Sequence, residues 1–241
     1  QKNESLIMKI CDEGFFLYSK NYGEKSKIIY ILSKDYGLIK GLSKSFKKKN
    51  YSLINLDKIK FTWSSRDQNS LGYLNYEQEN YSPSNDIIFT IIKASASELC
   101  IKFLPLWEQN TNIYQTINDL SLLTFNSDSY LFGKYVEWEM NFLKHIGYEL
   151  NINKCSVTGE FNNTHYISPK TGNAVNYEVG KKYSKFLFKI PECMKENFKK
   201  NTYNDYKEAL EITEYFFLKI LENKKCKFIF RNQIIKKLES L

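Results

Sequence analysis

Residues 14–49 read GFFLYSKNYGEKSKIIYILSKDYGLIKGLSKSFKKK, and this stretch decides the fold. Gly14–Tyr18 is apolar and aromatic, and Tyr22-Gly23 is a turn signal. Ile28–Leu32 is a continuous apolar run suited to a strand buried on both faces. Asp35-Tyr36-Gly37 turns the chain again before Leu38–Leu42. The segment then enters a lysine cluster, with Lys40, Lys44, Lys47, Lys48 and Lys49 inside ten positions.

Outward from this stretch the β pattern continues. Leu53–Trp63 supplies a further strand, with Ile59, Phe61 and Trp63 alternating, and Leu71–Glu79 alternates through Leu71 and Tyr73. Five short strands with glycine at the bends predict a small Greek-key barrel of the OB type. After Ser82-Pro83-Ser84-Asn85 the period changes. Asp86–Gln109, Ile113–Leu123, Tyr130–Ile146, Asn204–Leu221 and Ile229–Leu238 carry helical spacing. Pro105 is expected to kink or end the first of these helices, and Gly147 to cap the third. Residues 151–180 lose the helical period and read as short β-like pieces. The predicted class is α+β: a domain over 1–80, then a mostly helical domain over 81–241 with a β-like insert at about 151–180.

Composition narrows the function. Hydrophobic residues make up 42% of the 241 and aromatics 16%, so a packed core is expected and global disorder is not. The net charge of +8 is unevenly spread: +7 over residues 1–60, −6 over 61–180 and +7 over 181–241. Two basic ends suit an anionic polymer, although lysine on a solvated surface gives the same totals. The five cysteines are scattered and form no CxxC, which argues against a disulfide framework and fits a reducing, cytosolic compartment. No apolar run is long enough to span a membrane, and no signal-peptide pattern is present.

Enzyme signatures are missing. No GxxxxGK[ST], GxGxxG or GxSxG occurs. His145, near a helix end, reads as structural, and His165 reads as an exposed hairpin tip. Nothing marks an orienting partner for a Cys155–His165 pair. Glu137 and Glu139 are two positions apart on a helix, so they face apart and read as solvated charge. The basic cluster remains. A barrel that joins a positive groove to aromatic platforms holds single strands, each stacked base contributing roughly 1–3 kcal/mol. Tyr22, Tyr36, Phe46 and Tyr51 lie near the lysines, and Phe46, set among them, is the best stacking candidate. Neutralising about four phosphates would give a salt slope near −3 to −4.

Two segments resemble a known family. DEGFFLYSKNYGEKSKIIYILSKDYGLIKGLSK, with Lys20, Tyr22-Gly23-Glu24, Gly37 and Lys44, is similar to the start of bacterial RecO, the recombination mediator. Tyr135–Glu139, Ile146-Gly147-Tyr148, Cys155–Gly159 and Tyr166–Val175 resemble the RecO segment in which a helix leads into the zinc-finger region, in the form seen in alphaproteobacterial members. Zinc-bearing members have two CxxC pairs there. This chain has Cys155 followed by Thr158 and no cysteine near Val175–Glu178, so no metal or other cofactor is expected. The insert would hold itself by β pairing and by packing of Val157, Tyr166, Ile167 and Val175.

The resemblance implies a non-enzymatic protein with an OB-fold that binds single- and double-stranded DNA and anneals complementary strands. It implies work with RecR, contact with the C-terminal tail of single-strand-binding protein, and help in loading the recombinase RecA, with which any contact is indirect. It also implies a cytoplasmic, nucleoid-associated place in a bacterium. The candidate DNA contacts are Lys20, Lys25, Lys27, Lys40, Lys44, Phe46, Lys47, Lys48 and Lys49. The alternative is an interaction adaptor without DNA contact, whose helical body, with Trp107 and Trp138, offers an apolar groove to an acidic peptide tail.

Overall fold

The computed structural model describes residues 7–44, 53–79, 86–124, 126–161, 163–195, 201–222 and 225–241. The chain forms two compact units, Gln1–Leu123 and Thr124–Leu241.

In the first unit five strands close a barrel in the order β1-β2-β3-β5-β4: β1 Met8–Tyr22, β2 Ser26–Ser33, β3 Gly37–Lys44, β4 Lys58–Ser65 and β5 Gly72–Gln78. β1 is longer than its apolar run because it serves two partners. Its first half pairs with β4 and its second half with β2. A bulge between Phe16 and Tyr18 bends it from one neighbour to the other. The fourth strand starts later than Leu53, since Leu56 takes a positive φ of 65° and turns the chain into β4.

Alternate residues point inward. Ile10, Phe16, Ile29, Ile31, Ile39, Ile59, Phe61, Trp63 and Leu74 form the barrel core. Closure falls to a short parallel seam, Gly41 against Gly72 and Leu42 against Tyr73. A Cβ at Gly72 would lie 2.3 Å from the Trp63 ring, so the seam admits only glycine there. The buried Trp63 indole donates Nε1–H to the Lys40 carbonyl (3.1 Å).

Helices α1 (Ile87–Phe103) and α2 (Thr111–Ser121) belong to this unit. Asp86 and Asn110 cap them by accepting the N–H groups of Phe89 and Ile113. α1 stops at Leu104, directly before Pro105, as the restriction on pre-proline backbone requires. Phe15 of β1 meets Tyr114 of α2 with ring centroids 5.1 Å apart. Between the helices Trp107 packs edge-on against Trp63 (4.6 Å) and joins the barrel core.

The second unit joins three helices to a small sheet: α3 (Asp128–His145), α5 (Tyr203–Ile220) and α6 (Ile229–Glu239), with β6 Asn151–Cys155, β7 Thr164–Ile167, β8 Asn173–Asn176 and β9 Phe188–Lys189 in the order β6-β8-β7-β9. A short helix α4 (Tyr177–Gly180) runs into a 3-10 helix, Lys181–Phe186. The insert therefore reaches past residue 180. His165 lies within β7, edge-on to Tyr166 and Tyr177, and not at an exposed tip.

Glu139 overturns the reading of solvated charge. It is fully buried and bound in a fork by Arg231, equally buried, with Nε to Oε1 at 2.8 Å and Nη2 to Oε2 at 3.1 Å. Arg231 also donates to Glu214 (2.6 Å), Thr213 Oγ1 (2.9 Å) and the Leu210 carbonyl. One guanidinium thus ties α6 to α3 and α5. Trp138 is buried too, stacked between Tyr135 and Phe142, so it lines a core and no open groove.

Replacing Arg231 with Leu leaves the buried Glu139 carboxylate without its cation, with only the Thr213 hydroxyl donating to it. Urea unfolding should show a loss of about 3–5 kcal/mol. A loss under about 1 kcal/mol would mean that the pair is not what locks these helices together.

Candidate nucleic-acid interface

Strand alternation and register together define the outer face of β1, β2 and β3. Tyr18 lies beside Tyr30, and Tyr30 beside Lys40. One step along, Lys20 lies beside Ile28, Ile28 beside Leu42, and Leu42 beside Tyr73 of β5. Tyr22 lies beside Ser26, and Ser26 beside Lys44. Neighbouring strands are about 4.8 Å apart, so these side chains form one patch.

The patch holds its aromatics in water. Tyr18, Tyr22 and Tyr73 are 45%, 55% and 59% exposed, where a tyrosine with only a packing role would be covered. The Tyr18 and Tyr30 rings are 6.3 Å apart and tilted. Lys20 and Lys44 are exposed and Lys40 half-buried. Among the described residues none of the three forms an ion pair.

The remaining described candidates sit elsewhere. Lys25 is exposed in the β1–β2 turn. Lys27 is exposed but pairs with Ser43 and Asn21, one position out of phase with the patch. Tyr36 packs edge-on against Trp107 and is part of the barrel interior. Phe46, Lys47, Lys48, Lys49 and Tyr51 lie outside the described residues. The sequence reading missed Tyr18, Tyr30 and Tyr73. The alternation of β1 carried the signal, since Tyr18, Lys20 and Tyr22 occupy every second position.

Three lysines on the β1–β4–β5 side are compensated. Glu13 binds Lys34 (3.0 Å) and Lys58 (3.4 Å), and Lys60 binds Glu79 (2.9 Å). The Lys34 ammonium, aided by Lys58, holds the Glu13 carboxyl below the usual carboxylate range. A groove on this β1–β4–β5 side is lined by Asp12, Glu13 and Glu77 with Lys60. The local charge therefore favours an anion less there than on the tyrosine–lysine face.

Among the described residues no three His, Cys, Asp or Glu side chains converge. Cys155 is buried, and its Sγ accepts N–H groups from Thr158 (3.5 Å) and Asn176 (3.3 Å). Asn176 in turn accepts the Val179 N–H (3.0 Å) and donates to Glu160 (3.0 Å). Two turns with a three-residue step, 155 to 158 and 176 to 179, are thus held by hydrogen bonds. A single thiol does not fit tetrahedral zinc. Tyr166, Ile167 and Val175 are buried, but Val157 is 64% exposed and contributes no packing.

The comparisons with known proteins follow this architecture. Residues 8–78 match the family described as "Recombination protein O N terminal", and residues 84–227 match "Recombination protein O C terminal". The chain belongs to the RecO family. The protein named DNA repair protein RecO from Ehrlichia chaffeensis is 31% identical, over 96% of this chain and 99% of its own length. Its namesake from Wolbachia pipientis wMel is 30% identical over 89% and 92%. That from Rickettsia bellii is 31% identical over 89% and 90%. DNA repair and recombination are thus the setting of this RecO chain. No described helix is long and apolar enough to cross a membrane.

Burial acts to raise the Cys155 thiol. Hydrogen bonds from the Thr158 hydroxyl and from the Thr158, Asn176 and Val157 N–H groups outweigh it and hold the pKa at about 7, against an ordinary 9.0. A depressed pKa stabilises the fold above the unfolded value, and the gain is lost as pH falls through the folded one. The unfolding free energy of the wild type, less that of Cys155→Ser, should therefore rise between pH 7 and pH 9. A flat difference across that window would contradict the thiolate.

Proposed function

We propose that this RecO chain is a non-catalytic DNA-repair mediator that binds single- and double-stranded DNA through its barrel and anneals complementary strands. The DNA-binding module is residues 1–80. Lys20, Lys40 and Lys44 hold phosphates, and Lys25, Lys27, Lys47, Lys48 and Lys49 extend the contact, with Phe46 a stacking residue. The observation that carries this reading is the concentration of unpaired lysines and exposed tyrosines on one outer face, whereas Lys34, Lys58 and Lys60 on the β1–β4–β5 side are matched by carboxylates. Annealing needs two things of a protein. Repulsion between strands must be screened, and bases must stay free to pair. Lysine–phosphate contacts meet the first need and carry no sequence information, which meets the second.

The resemblance supplies the rest of the proposal. The chain works with RecR, takes the C-terminal tail of single-strand-binding protein, and helps load RecA without gripping it, in the bacterial cytoplasm at the nucleoid. The adaptor reading is less well supported, because Trp107 and Trp138, its expected groove residues, pack into the two cores.

Fluorescence anisotropy with a labelled oligothymidylate tests the barrel contact. The triple variant Lys20→Ala, Lys40→Ala, Lys44→Ala should bind more weakly, and its salt slope should be shallower by about 2, at roughly 0.7 per phosphate on a single strand. An unchanged affinity and slope would refute the site. Binding that appears only with a partner protein present would favour the adaptor.

A further inference from the structure

The second unit carries a basic aromatic segment that the barrel reading leaves unused. Lys181–Phe186, KKYSKF, is a six-residue 3-10 helix with no buried residue. Such helices rarely exceed three or four residues, and this one gains nothing from the core. It nevertheless holds Tyr183 57% exposed and Phe186 78% exposed, the highest exposure of any large hydrophobic described. Two rings facing water on an element without a packing role mark a contact surface.

The helix geometry orders these side chains. A 3-10 helix has three residues per turn, so positions i and i+3 lie one above the other, about 6 Å apart along the axis. Tyr183 thus stands over Phe186, and Lys182 over Lys185, as two parallel rows. Lys181 adds a third cation, placed 5.5 Å from the Tyr177 ring, which is itself 39% exposed. Among the described residues none of Lys181, Lys182 and Lys185 forms an ion pair. The nearest carboxylate in sequence is Glu178, three positions before Lys181.

We infer that this segment is a second binding site, for single-stranded DNA, independent of the barrel. Charge complementarity selects a polyanion, and the ring row selects one with unpaired bases. In a duplex the base faces are already stacked on one another, so a duplex would meet only the lysines. One chain with two strand sites can hold two strands, which goes beyond the single site proposed above.

The test uses the full chain and labelled oligothymidylate, with a duplex of equal length as control. Tyr183→Ala with Phe186→Ala should weaken single-strand binding about five-fold or more, the low end of what stacking a base contributes. Duplex binding should stay within about two-fold, because the lysines remain. Lys182→Ala with Lys185→Ala should weaken both and flatten the salt slope. Ultraviolet cross-linking should attach oligothymidylate to the peptide that holds Tyr183 and Phe186. The variants remove exposed groups only, and unchanged circular dichroism confirms their fold. Full single-strand affinity in the ring variant with no cross-link in this peptide overturns the site, as does a loss confined to an acidic polyglutamate probe. The barrel triple variant, run in parallel, keeps the two sites apart: it should still yield the Tyr183–Phe186 cross-link.

Discussion

The seam between β3 and β5 is the constraint on which the barrel and its outer face depend. Only two residue pairs join these strands, and the indole of Trp63 lies directly beneath them. Gly41 and Gly72 leave the ring its space, and the Lys40 carbonyl takes its N–H. A side chain at Gly72 would push the strands apart. Once closed, the seam brings Tyr73 beside Leu42, so the face that starts at Tyr18 and Lys20 continues without a break across β2, β3 and β5. The arrangement of cations and rings is thus a consequence of how a tryptophan is packed.

The second unit is organised by a different interaction. A fork between Arg231 and Glu139, supplemented by Glu214, Thr213 and the Leu210 carbonyl, satisfies a guanidinium that would otherwise be costly to bury. In its small sheet a thiol and an asparagine accept backbone N–H groups. Both devices hold buried polar atoms in hydrogen bonds, and Arg231 and Glu139 are fully buried while Glu214 reaches partly into solvent. The segment Lys181–Phe186, by contrast, keeps its three lysines exposed.

Much of this was legible in the sequence, and the reasons for success and failure are physical. The barrel was readable because alternation and glycine turns are local signals, and helix α1 because Pro105 must end it. Strand β1 was drawn too short because its first half, around Cys11–Glu13, is polar on the side that faces water. Glu139 was misread because its partner is 92 residues away, and no local spacing encodes that distance. Val157 was assigned to the insert's interior on hydrophobicity alone, while the turn at Cys155–Thr158 directs it outward. The lysine cluster drew the reading to residues 44–49, yet the tyrosines that share a face with Lys20 and Lys40 emerge only from the pairing register.

The claim that strands lie on the β1–β2–β3–β5 face is tested most directly by nuclear magnetic resonance. The isotope-labelled protein would be titrated with oligothymidylate while backbone amide shifts are followed. The account requires the largest changes at Tyr18, Lys20, Tyr22, Lys40, Leu42, Lys44 and Tyr73, with Cys11, Thr62 and Glu77 on the acidic side nearly still. Shifts centred on the acidic groove, with the tyrosine face unmoved, would contradict it.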